Sequence, residues 1–235
     1  MERLACLVSR GGRSSSRPSR QPLVILAIAV FATFVLPGAG GAQRDGDWSV
    51  GFRANLMGGS GKPTNDVLGY GLFGRHRLGR AWAIGFGIDR SDEFDIERAA
   101  ELVGLVQDPT VPDIDNAGES TTLKVWAERE YRSDRLLRWY WGAGVGFADL
   151  SVENASGPTA DGGPFDVSID AGDELLLEGM VGLRMVPGGR WFVEVTFRLE
   201  QHLADWELVD LDSGSTGSID DYTLRGVHLA VGWSF

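Results

Sequence analysis

From Trp48 to Phe235, apolar and polar residues alternate with a period of two, and the alternation recurs in eight segments. In the first, Trp48, Val50, Phe52, Ala54 and Leu56 are separated by Ser49, Gly51, Arg53 and Asn55. Successive side chains of a β-strand point to opposite faces, so this segment has one oily and one polar face. The same pattern runs through 68–75, 82–89, 123–131, 139–147, 175–184, 191–200 and 227–235. Each stretch is about ten residues, the length that a tilted strand needs to cross the hydrocarbon of a bilayer. An even number of such strands is what a bacterial single-chain membrane barrel requires.

The connections alternate in length. Short ones fall at 78–80, 132–135 and 187–189, and long ones at 58–66, 90–120, 151–173 and 203–221. A hairpin meander with short turns at one end and long loops at the other is the arrangement of a transmembrane barrel. Of the eight tryptophans, Trp48, Trp82, Trp139, Trp141, Trp191 and Trp233 lie at strand ends beside the short turns or the termini. Indole rings favour the headgroup level of a membrane, so these six read as an aromatic girdle on one rim. Hydrophobic residues make up 43% of the 235, with a mean hydropathy of -0.08. That is too polar for a helical membrane bundle but suits strands that are polar at every second position.

The first 42 residues differ. Arg3, Arg10, Arg13, Arg17 and Arg20 precede an uncharged run at 23–36, which Pro37 and small residues follow up to Ala42. The run is shorter than a spanning helix, and the order is that of a secretory signal cleaved between Ala42 and Gln43. The expected division is therefore a signal peptide, 1–42, and a barrel domain, 43–235. Cys6 is the only cysteine and lies in the signal, so the mature chain has no disulfide, thiolate metal site or cysteine nucleophile. Of 22 basic and 33 acidic residues, the signal removes five and one, leaving 17 and 32, a net charge of -15. So acidic a chain lacks the basic surface that nucleic acid requires.

The last strand, 227–235, alternates Val227, Leu229, Val231 and Trp233 and ends on Phe235. It resembles the C-terminal signature of Gram-negative outer-membrane proteins. Residues 43–235 resemble the small OmpA/OmpX-type barrels. The resemblance implies an all-β fold, an eight-stranded antiparallel up-and-down transmembrane β-barrel in the bacterial outer membrane. It also implies contact with lipid and lipopolysaccharide, and recognition of the strand ending at Phe235 by the barrel-assembly machinery.

The alternation turns Arg53, Arg75, Arg77, Lys124, Arg184 and Arg198 inward, with Asp89, Glu128, Glu130, Glu178, Glu194 and Glu200. A barrel of eight strands is only wide enough to be filled by its own side chains, and buried charges must be paired. Six charges of each sign predict a salt-bridged plug, and Arg53, Glu128, Glu178, Glu194 and Arg198 are expected to meet in one lumenal cluster. Carboxylates such as Glu128 and Glu130 share a face because the period is two, which is a structural rather than a catalytic reason for their proximity.

The long loops are acidic. Within the second, 95–105 has helical spacing with Asp95 as N-cap. Asp113, Asp115 and Asn116 begin like a calcium loop, but the twelfth position is Lys124; Asp210 and Asp212 do likewise, with Gly214 one place early. Both read as solvated acidic stretches. His202 faintly resembles the strand-end histidine of lipid A deacylase barrels, where a serine follows two residues later; here that place is Ala204. Without a nucleophile the histidine has nothing to activate. His76 and His228 are too isolated to form a metal site. No catalytic, cofactor or metal residue is assigned. The expected function is that of a non-enzymatic envelope or surface-interaction barrel acting through acidic extracellular loops. The alternatives are transport of small or hydrophobic solutes, as in OmpW-like barrels, and lipid A modification.

Overall fold

The computed structural model describes residues 48–59, 67–93, 99–106, 118–131, 136–187 and 190–235. The signal at 1–42, the N-cap Asp95, the first calcium-like loop from Asp113 and the turn at 132–135 lie outside them, as does most of the first long loop.

Eight long strands form the barrel: β1 (Trp48–Gly59), β2 (Val67–Arg77), β3 (Trp82–Glu93), β4 (Gly118–Tyr131), β5 (Leu137–Val152), β8 (Asp173–Met185), β9 (Trp191–Leu203) and β12 (Tyr222–Ser234). Each pairs antiparallel with its neighbour along the chain, and β12 closes onto β1. The seam runs from the pair Ser49 and Ser234 to the pair Gly59 and Leu224. Trp48 and Phe235 exchange backbone hydrogen bonds at its end (3.2 and 2.9 Å). Closure removes both sheet edges, so every strand's backbone groups find partners without water.

The outer face is oily over a limited height. Along β9, Trp191, Val193, Val195, Phe197 and Leu199 are each 45–54% exposed, and Gln201 follows. Arg90, Asp149, Asp173 and Arg225 mark the same upper limit on other strands. This belt of about nine residues matches a bilayer's hydrocarbon, and no water-soluble surface carries an apolar patch of this size. The six rim tryptophans take the lower edge. Trp191 meets Trp233 edge-on (4.6 Å), Trp82 meets Trp141 (6.0 Å), and Trp139 stacks on Tyr131 (4.1 Å). Arg129 lies over Trp82 and Tyr131 with its charge at headgroup height.

The loops at 151–173 and 203–221 are not irregular. They carry β6 (Ala155–Pro158) and β7 (Pro164–Asp170), and β10 (Trp206–Asp210) and β11 (Thr216–Ile219). These form a second sheet, ordered β11-β10-β7-β6, in which β7 and β10 join the two loops. Their alternation is real but short: Phe165, Val167 and Ile169 in β7, Trp206 and Leu208 in β10. Intervening aspartates and glutamates made these stretches read as acidic loops. The second long loop contributes the helix α1 (Ala99–Leu102), within the stretch where helical spacing was read.

Inside the barrel, four large aromatics face glycines. Phe73 pairs with Gly51, Trp126 with Gly85, Tyr140 with Gly182, and Phe192 with Gly232. A Cβ on Gly85 would sit 2.1 Å from the Trp126 ring. Replacing Gly85 by Val is therefore expected to cost about 1–3 kcal/mol by overpacking. Urea unfolding in detergent micelles would show it, and an unchanged midpoint would mean the indole can move aside.

Candidate functional site

The turn-side half of the lumen is a lattice of charges. Arg184, from β8, donates to Glu194 (2.9 Å), Glu128 (2.8 Å) and Glu130 (2.5 Å). Arg75, from β2, lies 2.9 Å from Glu128 and donates to Glu194 (3.1 Å). These five side chains come from four strands, β2, β4, β8 and β9, and all are 7% exposed or less. Arg77 and Arg138, nearer the mouth, share Glu130 with Arg184 (3.1 and 3.3 Å). Arg77, read as inward, is half-buried at the opening rather than enclosed.

An aromatic layer lies above. Phe73, Trp126, Tyr140 and Phe192 pack with Met180 and Ala230. Arginines meet both sides of it. Arg75 reaches Phe73 and Phe192, and Arg184 lies over Tyr140 at 4.6 Å; on the other side, Arg53 and Arg198 each lie 5.2 Å from the Trp126 ring. A desolvated guanidinium over a ring face is attracted by the ring quadrupole. The layer divides the charges, so the expected single cluster is two. Glu128 and Glu194 belong to the turn-side lattice. Arg53, Glu178 and Arg198 belong to the loop-side one, where Arg53 holds Asp89 through two 2.6 Å bonds. Lys124 bridges Asp89 and Glu200 (3.3 and 2.5 Å), and Arg198 holds Glu178 (2.6 Å).

Alternation assigned the charges and placed Trp126 and Tyr140 on the same inward face, where both are buried, but it did not single out Phe73 and Phe192. Phe73 and Phe192 share a face with Arg75 and Glu194 by the same period of two, and the glycines opposite them leave room for their rings.

Higher still, polarity gives way to an apolar cap. Phe165, Val167, Trp206, Leu208 and Ile219 of the second sheet pack with Ala100 and Val103. They also pack with wall residues such as Met57, Leu150, Leu176 and Leu224. Three long loops therefore meet over the mouth. Trp206 is 1% exposed, and its indole donates to Glu174 of β8. Glu174 also accepts from Tyr222 (3.0 Å) and pairs with Nδ1 of His202 (2.7 Å). This carboxylate ties three barrel strands to the cap. Of the eight tryptophans, Trp126 and Trp206 are the two off the rim, and both are buried.

His202 is thus built into the base of the cap, stacked on Tyr222 (4.5 Å). Its other nitrogen lies 3.8 Å from Glu200, and Ala204 packs into the apolar core. His76 packs at a tilt against Trp48 (4.4 Å), and His228 lies 3.2 Å from the Met57 sulfur. The second calcium-like stretch is a turn. Asp210 accepts from the Ser213 hydroxyl and amide and from the Asp166 amide. The Ser213 hydroxyl, above all, holds its carboxyl below the usual carboxylate range. Among the described residues, no group of three or more His, Cys, Asp or Glu is placed to hold a metal ion.

A closed eight-stranded barrel with an apolar belt and an aromatic rim is an outer-membrane β-barrel, seated in the lipid of the bacterial outer membrane. Among solved structures, the chain is similar to that of Neisserial surface protein A, with a TM-score of 0.52 and 10% identity, over 82% of this chain and 100% of that one. It is also similar to the outer membrane protein OprG from Pseudomonas aeruginosa, with a TM-score of 0.57 and 10% identity, over 83% of this chain and 98% of that one. At such identity the likeness is one of fold. No family model matches the sequence, and no curated protein does.

Proposed function

We propose that the protein is a non-enzymatic surface barrel whose lumen does not conduct and whose work is done by its capped, acidic extracellular end. The observation that carries this reading is the double obstruction of the lumen. Paired charges and an aromatic layer occupy the lumen above its turn-side mouth, and an apolar core with Ala100, Val167 and Leu208 fully buried covers the other mouth. Moving an ion through either would require breaking buried pairs or entering a dry core, at several kcal/mol each. The cap instead offers a surface. Asp166, Asp170 and Glu207 alternate with its buried residues, so a cationic partner is the class that fits.

In this reading the short turns and Phe235 face the periplasm and the cap faces outward. The signal at 1–42 is removed on export, the Phe235 strand is read by the assembly machinery, and lipopolysaccharide surrounds the outer rim. Purified protein in a planar bilayer is expected to give no steady single-channel current. Stepwise currents would overturn the closed lumen and favour solute transport. Release of fatty acid from lipopolysaccharide, lost in His202→Ala, would overturn the non-enzymatic assignment.

A further inference from the structure

The lipid-facing wall carries a charge that the proposed function does not use. Arg129 points outward on β4, one outward position short of Tyr131 at the turn-side rim and next to Ala127 of the apolar belt. Its cross-strand partners are both tryptophans, Trp82 on β3 and Trp141 on β5. The guanidinium carbon lies 5.8 Å from the Trp82 ring centre and 5.2 Å from that of Tyr131. The frame around it is braced. Trp82 and Trp141 meet edge-on, the Trp141 indole donates to the Tyr131 hydroxyl (3.3 Å), and Tyr131 stacks on Trp139. The rings attract the guanidinium but do not neutralise it. A cation at the edge of the hydrocarbon is costly without an anion or water, and the anion that a bilayer supplies at this height is the lipid phosphate. A guanidinium meets phosphate oxygens with a planar fork of donors. The wall beside it has room for an acyl chain. Ala127, Ala143 and Gly179 are cross-strand neighbours on β4, β5 and β8, and all face outward. A Cβ on Gly179 would meet open space. The three floor a shallow trough, with Arg129, Trp141 and Val181 along its turn-side edge.

We infer that this part of the wall binds one anionic glycerophospholipid, with its phosphate on Arg129 between Trp82 and Trp141 and an acyl chain along the trough. The charge supplies the headgroup contact, and the braced rings hold the guanidinium at the depth where phosphate lies. The choice of glycerophospholipid over lipopolysaccharide rests on the reading above in which the short turns face the periplasm. The site itself is independent of that reading and of whether the barrel conducts.

The test is native mass spectrometry of the purified protein in neutral detergent micelles, titrated with dioleoyl phosphatidylglycerol and, separately, with lipopolysaccharide lacking O-antigen. Saturable retention of one phosphatidylglycerol is expected. It should weaken at least tenfold in Arg129→Gln and severalfold in Trp141→Leu. Gly179→Leu, which fills the trough and leaves the charge, should also weaken it severalfold. Arg90→Gln, which removes the same charge from the other end of the belt, should leave it unchanged. Heat-modifiable migration on a gel reports folding, and if Arg129→Gln does not fold, Trp141→Leu decides. Retention undiminished in the deciding variant, or reduced as much in Arg90→Gln, overturns the site. Retention undiminished in Gly179→Leu overturns the trough. Absence of saturable binding of either lipid overturns the site and leaves the orientation of the barrel standing. Retention of lipopolysaccharide alone, lost with Arg129, overturns the choice of lipid together with the orientation on which it rests.

Discussion

Replacing Arg184 by Met is expected to lower the stability of the barrel by about 3–5 kcal/mol, the cost of leaving buried charges without their partner. Arg184 serves three glutamates, and its guanidinium also lies over Tyr140. Without it, Arg75 is the one described cation left on Glu128 and Glu194, and Glu130 keeps the longer bonds from Arg77 and Arg138. Met fills much of the volume, so the loss reports charge rather than a cavity. Arg184→Lys keeps the charge, but one ammonium cannot hold three carboxylates, and an intermediate loss is expected. Arg90 provides the contrast. Its pair with Glu119 is 2.7 Å long but exposed at both ends, and such pairs contribute about 0–1 kcal/mol. Equilibrium urea unfolding in micelles, followed by tryptophan fluorescence, separates the two cases. An Arg184→Met variant no less stable than Arg90→Met would show that the lattice does not hold the barrel together. Adding Glu194→Gln to Arg184→Met is expected to recover part of the loss, because Arg75 then has one buried carboxylate, Glu128, to compensate rather than two.

The barrel was legible from the sequence because lipid and lumen impose the same period on every strand. Lipid selects Val193, Val195 and Phe197, the lumen selects Glu194, Thr196 and Arg198, and the register cannot slip by one residue without exchanging the two sets. The rim tryptophans were legible for a similar reason, since headgroup height is a fixed position along each strand. The partners of the lumenal charges were not. Arg75 meets Glu194 across 119 residues of sequence, and only the closure of the barrel brings β2 near β9. The aromatic layer was half legible: Trp126 and Tyr140 fell on the inward face, but Phe73 and Phe192 break the polar half of the alternation. They do so where a glycine on the neighbouring strand leaves room. The cap was hidden by scale. Its strands are four to seven residues long, and each buries only one to three apolar side chains. Its core exists only when three loops are added together. Those loops also carry most of the acidic residues, which mark the outer surface of the cap and mask its inner one.

Trp206→Ala is expected to open that cap while leaving the barrel folded. The indole is among the largest fully buried side chains, and truncating a buried tryptophan costs about 3–5 kcal/mol. The cap draws on a small core, so a loss of this size is a large share of its local stability. The barrel wall below keeps its ladders and charge pairs, none of which involves Trp206. The expected result is selective. Limited proteolysis should cut within 153–172 and 204–221, and hydrogen exchange should rise in β7 and β10 but not in β4 or β9. Trp206→Phe divides the effect, since it keeps most of the packing but removes the donor to Glu174. If the variant resists proteolysis, packing holds the cap down. If it is cut as readily as Trp206→Ala, the bond to Glu174 does, and Glu174→Gln should then loosen the cap as well. Trp191→Ala, on the lipid-facing rim, removes the same ring from the far end of the barrel and should leave the cap's protection unchanged. Global unfolding of Trp206→Ala would mean that cap and barrel are one cooperative unit, in which case the lid cannot move without the wall.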